Sequence, residues 1–185
     1  MEPTPYCLFE TPLGACGIAW RHPANSGSQP VVTLLQLPED TPQETESRIG
    51  RKCHATHASP PPPRIAEIIE KIRQHLRGET QDLRDVAVDL GGAAPFARQV
   101  YEAAREIPAG QTRTYGEIAK ALGQPGAAQE VGQALAKNPV PIIVPCHRVS
   151  AAGGKLGGFS APGGRSTKLK LLAIEGAPVN LSLFS

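Results

Sequence analysis

Residues 114–137 constrain this chain more than any other stretch. Thr114-x-x-Glu117 has the spacing of a capping box, in which the threonine side chain accepts from a free N–H of the first helical turn and the glutamate reaches back. Gly123 supplies a stop for that helix, Gln124-Pro125 follows, and a second helix is predicted from about Ala127 to Lys137. Two short helices joined through a tight glycine-containing turn make a helix-turn-helix, and its second helix is the one usually offered to DNA.

Other elements are read from spacing in the same way. Phe96, Val100, Ala103, Ala104 and Ile107 fall on one helical stripe, and Ser166 is placed to cap a helix that runs through Glu175 to Gly176 with Leu169, Leu172 and Ala173 facing the core. The first half has a different pattern. Residues 6–20 and 31–37 hold alternating apolar runs, separated by the Pro12-Leu13-Gly14 turn and an Asn25-Ser26-Gly27-Ser28 loop, which predicts a sheet. Residues 38–63, ending in four prolines, read as a stiff surface loop. Ile65, Ile68, Ile69, Ile72 and Leu76 then predict a helix that covers the sheet; Val86, Val88 and Leu90 predict one more strand. Gly91-Gly92 marks a boundary. The expected organisation is an α/β domain over 1–91, with a Pro-rich loop at about 38–63, and a mainly helical domain over 92–185.

Charge divides along the same line. Residues 1–91 hold nine Lys and Arg against twelve Asp and Glu, a balance of −3, whereas 92–185 hold ten against five, a balance of +5. The half with the helix-turn-helix is the half that would attract a phosphate backbone. No segment has the length and apolar content of a membrane span, and no basic stretch, apolar core and small-residue cleavage site begin the chain, so a cytoplasmic location is expected. Four cysteines without pattern argue against a disulfide framework. Cys53-His54 and His57, with Cys7, Cys16 or His22, match no four-ligand zinc spacing, and no metal is expected.

The chemistry concentrates in Pro145-Cys146-His147-Arg148-Val149, which follows the apolar run Ile142-Ile143-Val144 and reads as a nucleophile presented at a strand end. A thiol beside an imidazole and a guanidinium is expected to have its pKa lowered, which populates the attacking thiolate. The whole stretch from Asn138-Pro139-Val140-Pro141 to Val149 resembles the signature of the O6-alkylguanine-DNA alkyltransferases, the methylated-DNA–protein-cysteine methyltransferase family. The likeness extends to Gly110-Gln111-Thr112, Thr114-Tyr115-Gly116-Glu117-Ile118-Ala119, Gly157-Gly158-Phe159-Ser160 and Ile174-Glu175-Gly176, and it is dense from about Phe96 to Gly176.

The resemblance implies a ribonuclease-H-like N-terminal domain followed by a winged-helix-like DNA-binding domain. It implies irreversible, stoichiometric transfer of an alkyl group from O6-alkylguanine, with O4-alkylthymine a second candidate lesion, to Cys146, with no cofactor. The partner would be double-stranded DNA, bound by a monomer through the minor groove with the damaged base flipped out. His147 would draw the thiol proton through water, Glu175 would hold the imidazole, and Asn138 would tie the helix-turn-helix to the cysteine. Tyr115, Pro141, Val149, Phe159 and Ser160 would form the base pocket. Thr114, Ala127, Ala128, Gln129 and Arg148 would meet DNA.

Three departures from the family pattern accompany this likeness. Gln129 stands where an arginine generally replaces the flipped base, Phe159 stands where tyrosine is common, and the stretch from Ser160 to Glu175 is about two residues longer than usual. A cofactor-dependent methyltransferase is disfavoured, because Gly153-Gly154 and Gly157-Gly158 follow the cysteine motif and lack a strand, Gly-rich turn and helix setting. The competing readings are an alkylation-damage sensor module and a helix-turn-helix transcription regulator on the same fold.

Overall fold

The computed structural model describes residues 3–24 and 28–178, so the predicted loop at Asn25-Ser26-Gly27 lies outside the described residues. The chain divides into two compact units, Met1–Gly91 and Gly92–Ser185. Among the described residues no helix is long and apolar enough to cross a membrane.

In the first unit β1 (Tyr6–Thr11), β2 (Gly14–Arg21) and β3 (Val31–Gln36) form an antiparallel sheet in sequential order. The β1–β2 turn closes on Thr11, whose hydroxyl donates to the Gly14 carbonyl at 2.8 Å and accepts from the Leu13 N–H at 3.1 Å. Strand β2 is buried from Ala15 to Trp20, so both faces of the sheet are covered at its centre.

One cover was not expected. Helix α1 (Pro42–Cys53) occupies much of the stretch predicted as a Pro-rich loop at 38–63, and residues 38–41 and 54–62 remain irregular. Its cause is local: Thr41 and Glu44 complete a capping box, and Pro42 sits in the first turn, where its missing N–H breaks no helical bond. Ile49 and Cys53 then pack with Tyr6 and Ala19. Gly17 permits the approach, since a Cβ there would lie 2.7 Å from Ile49 Cδ1. Helix α2 (Pro63–Leu76) buries Ile65, Ile68, Ile69, Ile72 and Leu76, the predicted stripe, and packs on β1. The strand predicted at Val86–Leu90 shrinks to one bridge, Val88 to Val32, because Val86 closes a turn on Leu83 and Gly91 has a left-handed φ of 51°.

The second unit is built on α3 (Pro95–Arg105), α4 (Tyr115–Ala121), α5 (Ala128–Ala136) and α6 (Gly164–Ile174), with a two-residue parallel ladder between β4 (Arg113–Thr114) and β5 (Val149–Ser150). Both α3 and α4 pack on α5, and the buried Tyr101 hydroxyl donates to the Ala134 carbonyl at 2.8 Å. The α4 capping box is present: Glu117 N–H donates to Thr114 Oγ1 at 3.1 Å, and the Thr114 N–H to the Glu117 carboxylate at 2.6 Å. Helix α6 begins two residues before the predicted cap. Gly163, at φ 77°, is its N-cap, a conformation that favours glycine, while Ser166 is an ordinary exposed helical residue. Its buried face is Lys168, Leu171 and Leu172; Ala173 is exposed.

Candidate active site

Cys146 is not at a strand end. The β-branched run that suggested a strand is folded into a turn, with Val144 N–H bonded to the Val140 carbonyl at 2.9 Å and Ile142 held at φ 71°. A branched residue in the left-handed region is strained by roughly 1–3 kcal/mol. Asn138 holds the turn closed: its Nδ2 donates to the Val144 carbonyl at 2.8 Å, and its Oδ1 accepts from the Val140 N–H at 3.0 Å. Because Asn138 directly follows α5 and its Lys137 cap, this clamp links that helix to the segment leading into the cysteine. Cys146 then opens a single 3-10 turn, Cys146–Arg148, closed by the Val149 N–H on the Cys146 carbonyl.

That turn sends successive side chains to different places. Cys146 is half-buried and lines a cavity of about 560 Å³ together with Tyr115, Ala128, Gln129, Gly132, Gln133, Leu135, Ala136, Gly158, Phe159 and Ser160, a size suited to a small ligand. His147 is buried, and its Nε2 lies 2.8 Å from Glu175 Oε1. Arg148 is buried too. Its Nε and Nη2 donate to Glu175 Oε2 and Oε1 at 3.0 and 2.8 Å, and its Nη1 to the Ile107 carbonyl at 2.6 Å. Arg148, expected at a DNA surface, is therefore an internal ion pair that fixes Glu175, and its guanidinium is committed away from solvent.

The other expected residues sort by side chain and backbone. Tyr115, Phe159, Ser160, Ala128 and Gln129 line the cavity, and Ala127 caps α5 next to them. Pro141 and Val149 are buried and are not among the cavity walls. Val149 instead contributes through the β4–β5 ladder, which pairs it with Arg113 and so brings the start of α4, with Tyr115, beside the cysteine turn. The Thr114 side chain is occupied as a helix cap. Ser160 Oγ donates to the Ala136 carbonyl at 2.8 Å, closing the glycine-rich loop against the end of α5. Gly157, at φ 75°, allows the Tyr115 ring its position, since a Cβ there would lie 2.8 Å from the phenol oxygen.

Electrostatics correct the expectation of a lowered thiol pKa. Burial pushes the Cys146 thiol up, opposed by the Asn138 side chain, the Lys168 charge and the local backbone N–H groups. Burial thus favours the neutral thiol over the thiolate at this position. Lys168 itself was missed. It is fully buried, and burial pushes it down to about 8 despite the counteracting Cys146. The available signal was its place one turn before Leu171 and Leu172, on the apolar stripe of a helix. Gln133, one turn beyond Gln129 on α5, also lines the cavity and was not singled out. Among the described residues no three His, Cys, Asp or Glu side chains form a metal-binding group.

Residues 95–177 match the family model described as the DNA binding domain of 6-O-methylguanine DNA methyltransferase. The chain is 38% identical over 181 residues to the methylated-DNA–protein-cysteine methyltransferase of Mycolicibacterium paratuberculosis, which covers 97% of this chain and 98% of the relative. Its counterpart in Mycobacterium leprae is 39% identical over 175 residues, 95% of this chain and 94% of the relative. Among solved structures, Mycobacterium tuberculosis OGT in complex with DNA is similar with a TM-score of 0.70 at 38% identity, over 97% of this chain and 99% of that one. The O6-methylguanine-DNA methyltransferase of the archaeon Pyrococcus kodakaraensis gives 0.69 at 26% identity, over 94% and 99%.

Proposed function

Because the chain belongs to the methylated-DNA–protein-cysteine methyltransferase family, we propose that it repairs alkylated DNA by direct reversal, moving the alkyl group of O6-alkylguanine onto Cys146 in a single irreversible turnover. The observation that carries this reading is the placement of the half-buried Cys146 in a cavity of about 560 Å³ lined along α5, with the next two residues of its 3-10 turn, His147 and Arg148, both bonded to the buried Glu175 side chain.

The reaction is a displacement at carbon. Cys146 Sγ forms a bond to the alkyl carbon as the carbon–O6 bond breaks, and the electron pair leaves with the purine, which takes up a proton. The thiol proton goes to His147, through water, at the ring nitrogen opposite the Glu175 contact; Glu175 stabilises the cation that forms. A raised thiol pKa suits this order of events, because the proton is transferred only when an electrophile occupies the cavity. Tyr115 is the donor toward the purine, Phe159 its apolar neighbour, and Ser160 the residue that keeps the loop closed over the base.

A stacked guanine cannot reach Cys146, so the base is flipped out, at a cost of a few kcal/mol. Helix α5 enters the minor groove with the small residues Ala127, Ala128 and Gly132, which permit close approach without sequence readout. Residues 92–185 act as a winged-helix-like alkyltransferase domain, supported by the α4–α5 pair and the β4–β5 ladder. Residues 1–91 form a ribonuclease-H-like α/β domain, supported by the antiparallel sheet with its covering helices. The protein acts as a cytoplasmic monomer and needs no cofactor.

Incubation with duplex DNA bearing labelled O6-methylguanine, followed by peptide mass mapping, tests the proposal. One methyl per chain on Cys146 is expected. Methyl on Cys7, Cys16 or Cys53, or repeated turnover, would reject the assignment of Cys146; binding without any transfer would favour a sensor or a transcription regulator.

A further inference from the structure

Loop 151–160 forms one wall of the cavity and has little to hold it. Gly153, Gly154 and Gly157 have φ values of 71°, 74° and 75°, and Gly158 adds a fourth flexible position. Its own bonds are few: Ala151 N–H to the Lys155 carbonyl at 3.0 Å, Ser160 Oγ to the Ala136 carbonyl, and the packing of Leu156 on Leu172 and Ala177. A segment this rich in glycine is expected to open locally unless something outside it ties it down.

Lys168 of α6 is that tie. It is the one lysine among the described residues with no exposed surface. Its Nζ donates to the Val149 carbonyl at 2.5 Å and to the Gly158 carbonyl at 3.4 Å, the first three residues after Cys146 and the second inside the loop beside Phe159. The same ammonium lies 5.9 Å from the centroid of the Tyr115 ring, within cation–π range. A buried charge is retained only where it is hydrogen-bonded or paired. Lys168 meets that condition by joining three parts of the cavity: the segment after the nucleophile, the glycine-rich loop and the start of α4.

We propose that Lys168 is a positioning residue of the acceptor cavity, whose ammonium fastens loop 151–160 to the Val149 carbonyl and to the Tyr115 ring and thereby sets the width of the cavity opposite Cys146. It acts through these groups and not on the alkyl carbon. The proposal rests on the reading of this cavity as the alkyl-acceptor pocket, but the tie itself is independent of that reading. Lysine suits the task because three donors on one compact charge can serve several acceptors at once. The ionisable groups acting on it are Cys146 from the 3-10 turn, Arg165 from its own helix and, through the ring, Tyr115 from α4.

The test pairs Lys168→Met, which keeps the length of the side chain and removes its donors, with the parent protein. Amide hydrogen exchange of residues 151–160 should rise at least tenfold in Lys168→Met while that of α3 and α5 is unchanged, and methyl transfer from duplex O6-methylguanine should fall at least tenfold. Unchanged exchange in the loop overturns the tie whatever the transfer rate does. Faster loop exchange with transfer within twofold of the parent overturns the positioning role. If the parent itself transfers no methyl group, the proposed function fails while the exchange result still decides the tie. Should Lys168→Met not fold, the parent alone decides: after correction for intrinsic base catalysis, loop exchange should increase as pH is raised through about 8, where the ammonium loses its proton, and a flat corrected profile from pH 7 to 9 overturns the proposal.

Discussion

Replacing Glu175 by Gln is the obvious way to interrupt the His147–Glu175 contact, and the structure predicts that it will do more than slow the reaction. The Glu175 side chain is 1% exposed and the Arg148 side chain 9%, so solvent cannot take over for a lost partner. One carboxylate oxygen receives His147 Nε2 and Arg148 Nη2, and the other receives Arg148 Nε. An amide has only one oxygen. If it takes the Oε1 place, its NH2 faces the Arg148 Nε–H; if it is flipped, the NH2 faces the Arg148 Nη2 group. Either orientation sets a donor against a donor and leaves a buried guanidinium without its counter-charge.

Removing one member of a buried ion pair costs about 3–5 kcal/mol. The retained Ile107 carbonyl at 2.6 Å and one amide oxygen place Glu175→Gln at the low end, about 3 kcal/mol. Against a total stability of roughly 5–15 kcal/mol this is a large fraction. Urea unfolding should show it as a lower midpoint, and the double variant Arg148→Met with Glu175→Gln should recover at least half of the loss, because the charge that was left unpaired is then absent. Transfer rates are to be compared at a temperature where both proteins are folded, and there too Glu175→Gln should be slower by about tenfold or more, since each 1.4 kcal/mol of lost imidazolium stabilisation is a factor of ten. A single variant within about 0.5 kcal/mol of the parent, the usual range for inconsequential surface changes, would refute the reasoning.

Gln129→Arg should raise the transfer rate on duplex DNA more than on free O6-methylguanine base, since only the duplex reaction needs extrusion, and should steepen the salt dependence of binding by about one phosphate contact. Equal effects on the two substrates would remove position 129 from base replacement. Asn138→Ala should destabilise the protein by about 1–3 kcal/mol, because the Val144 carbonyl and Val140 N–H lose their partner, and should slow alkylation of Cys146 by iodoacetamide; unaltered thiol reactivity would separate the clamp from the nucleophile. Burial pushes Cys7, Cys16 and Cys53 up to about 11, 12 and 11 from 9.0. Folding thus opposes their ionisation, so their contribution to stability is complete below pH 9 and is lost as pH rises through that window. Under reducing conditions the unfolding midpoint should fall between about pH 9 and 11, and less steeply in Cys16→Ala; identical slopes would contradict the assignment.

What could be read in the sequence and what could not have separate physical causes. The α4–α5 pair was legible because its signals are local: a capping box at Thr114 and Glu117 and a glycine at 123. The α2 stripe was legible because five apolar residues recur at one period. Helix α1 carried the same kind of signal in Thr41, Pro42 and Glu44, but a run of prolines twenty residues on coloured the whole segment. The turn at 140–144 was illegible for a stronger reason. Ile142, Ile143 and Val144 favour extended backbone, and only Asn138, bonded at both ends of the turn, overrides that preference. Arg148 was expected at DNA from the family resemblance alone, and its commitment to Glu175 depends on a residue 27 positions away, which no local pattern announces.

The same comparison explains where the chain spends stability. A strained Ile142, a buried lysine and a buried arginine–glutamate pair all lie within the second unit, between residues 142 and 175. None would be selected for packing alone, since apolar residues of similar volume fill a core at least as well. Each one bears on the surroundings of Cys146: Ile142 allows the turn that leads into it, Lys168 holds the loop and the Tyr115 ring, and Arg148 orients the carboxylate that meets His147. An unstrained strand in place of the 140–144 turn would extend the chain past the Asn138 clamp and carry the thiol away from α5. The expected consequence is that substitutions relieving these costs, such as Ile142→Gly for the left-handed backbone, stabilise or spare the fold only where the side chain removed was not itself packing the site. Ile142 is 1% exposed, so the glycine variant trades roughly 1–3 kcal/mol of strain against a cavity costing at least as much. A clear gain in stability from Ile142→Gly would mean that the strain, and not the packing, dominates at this turn.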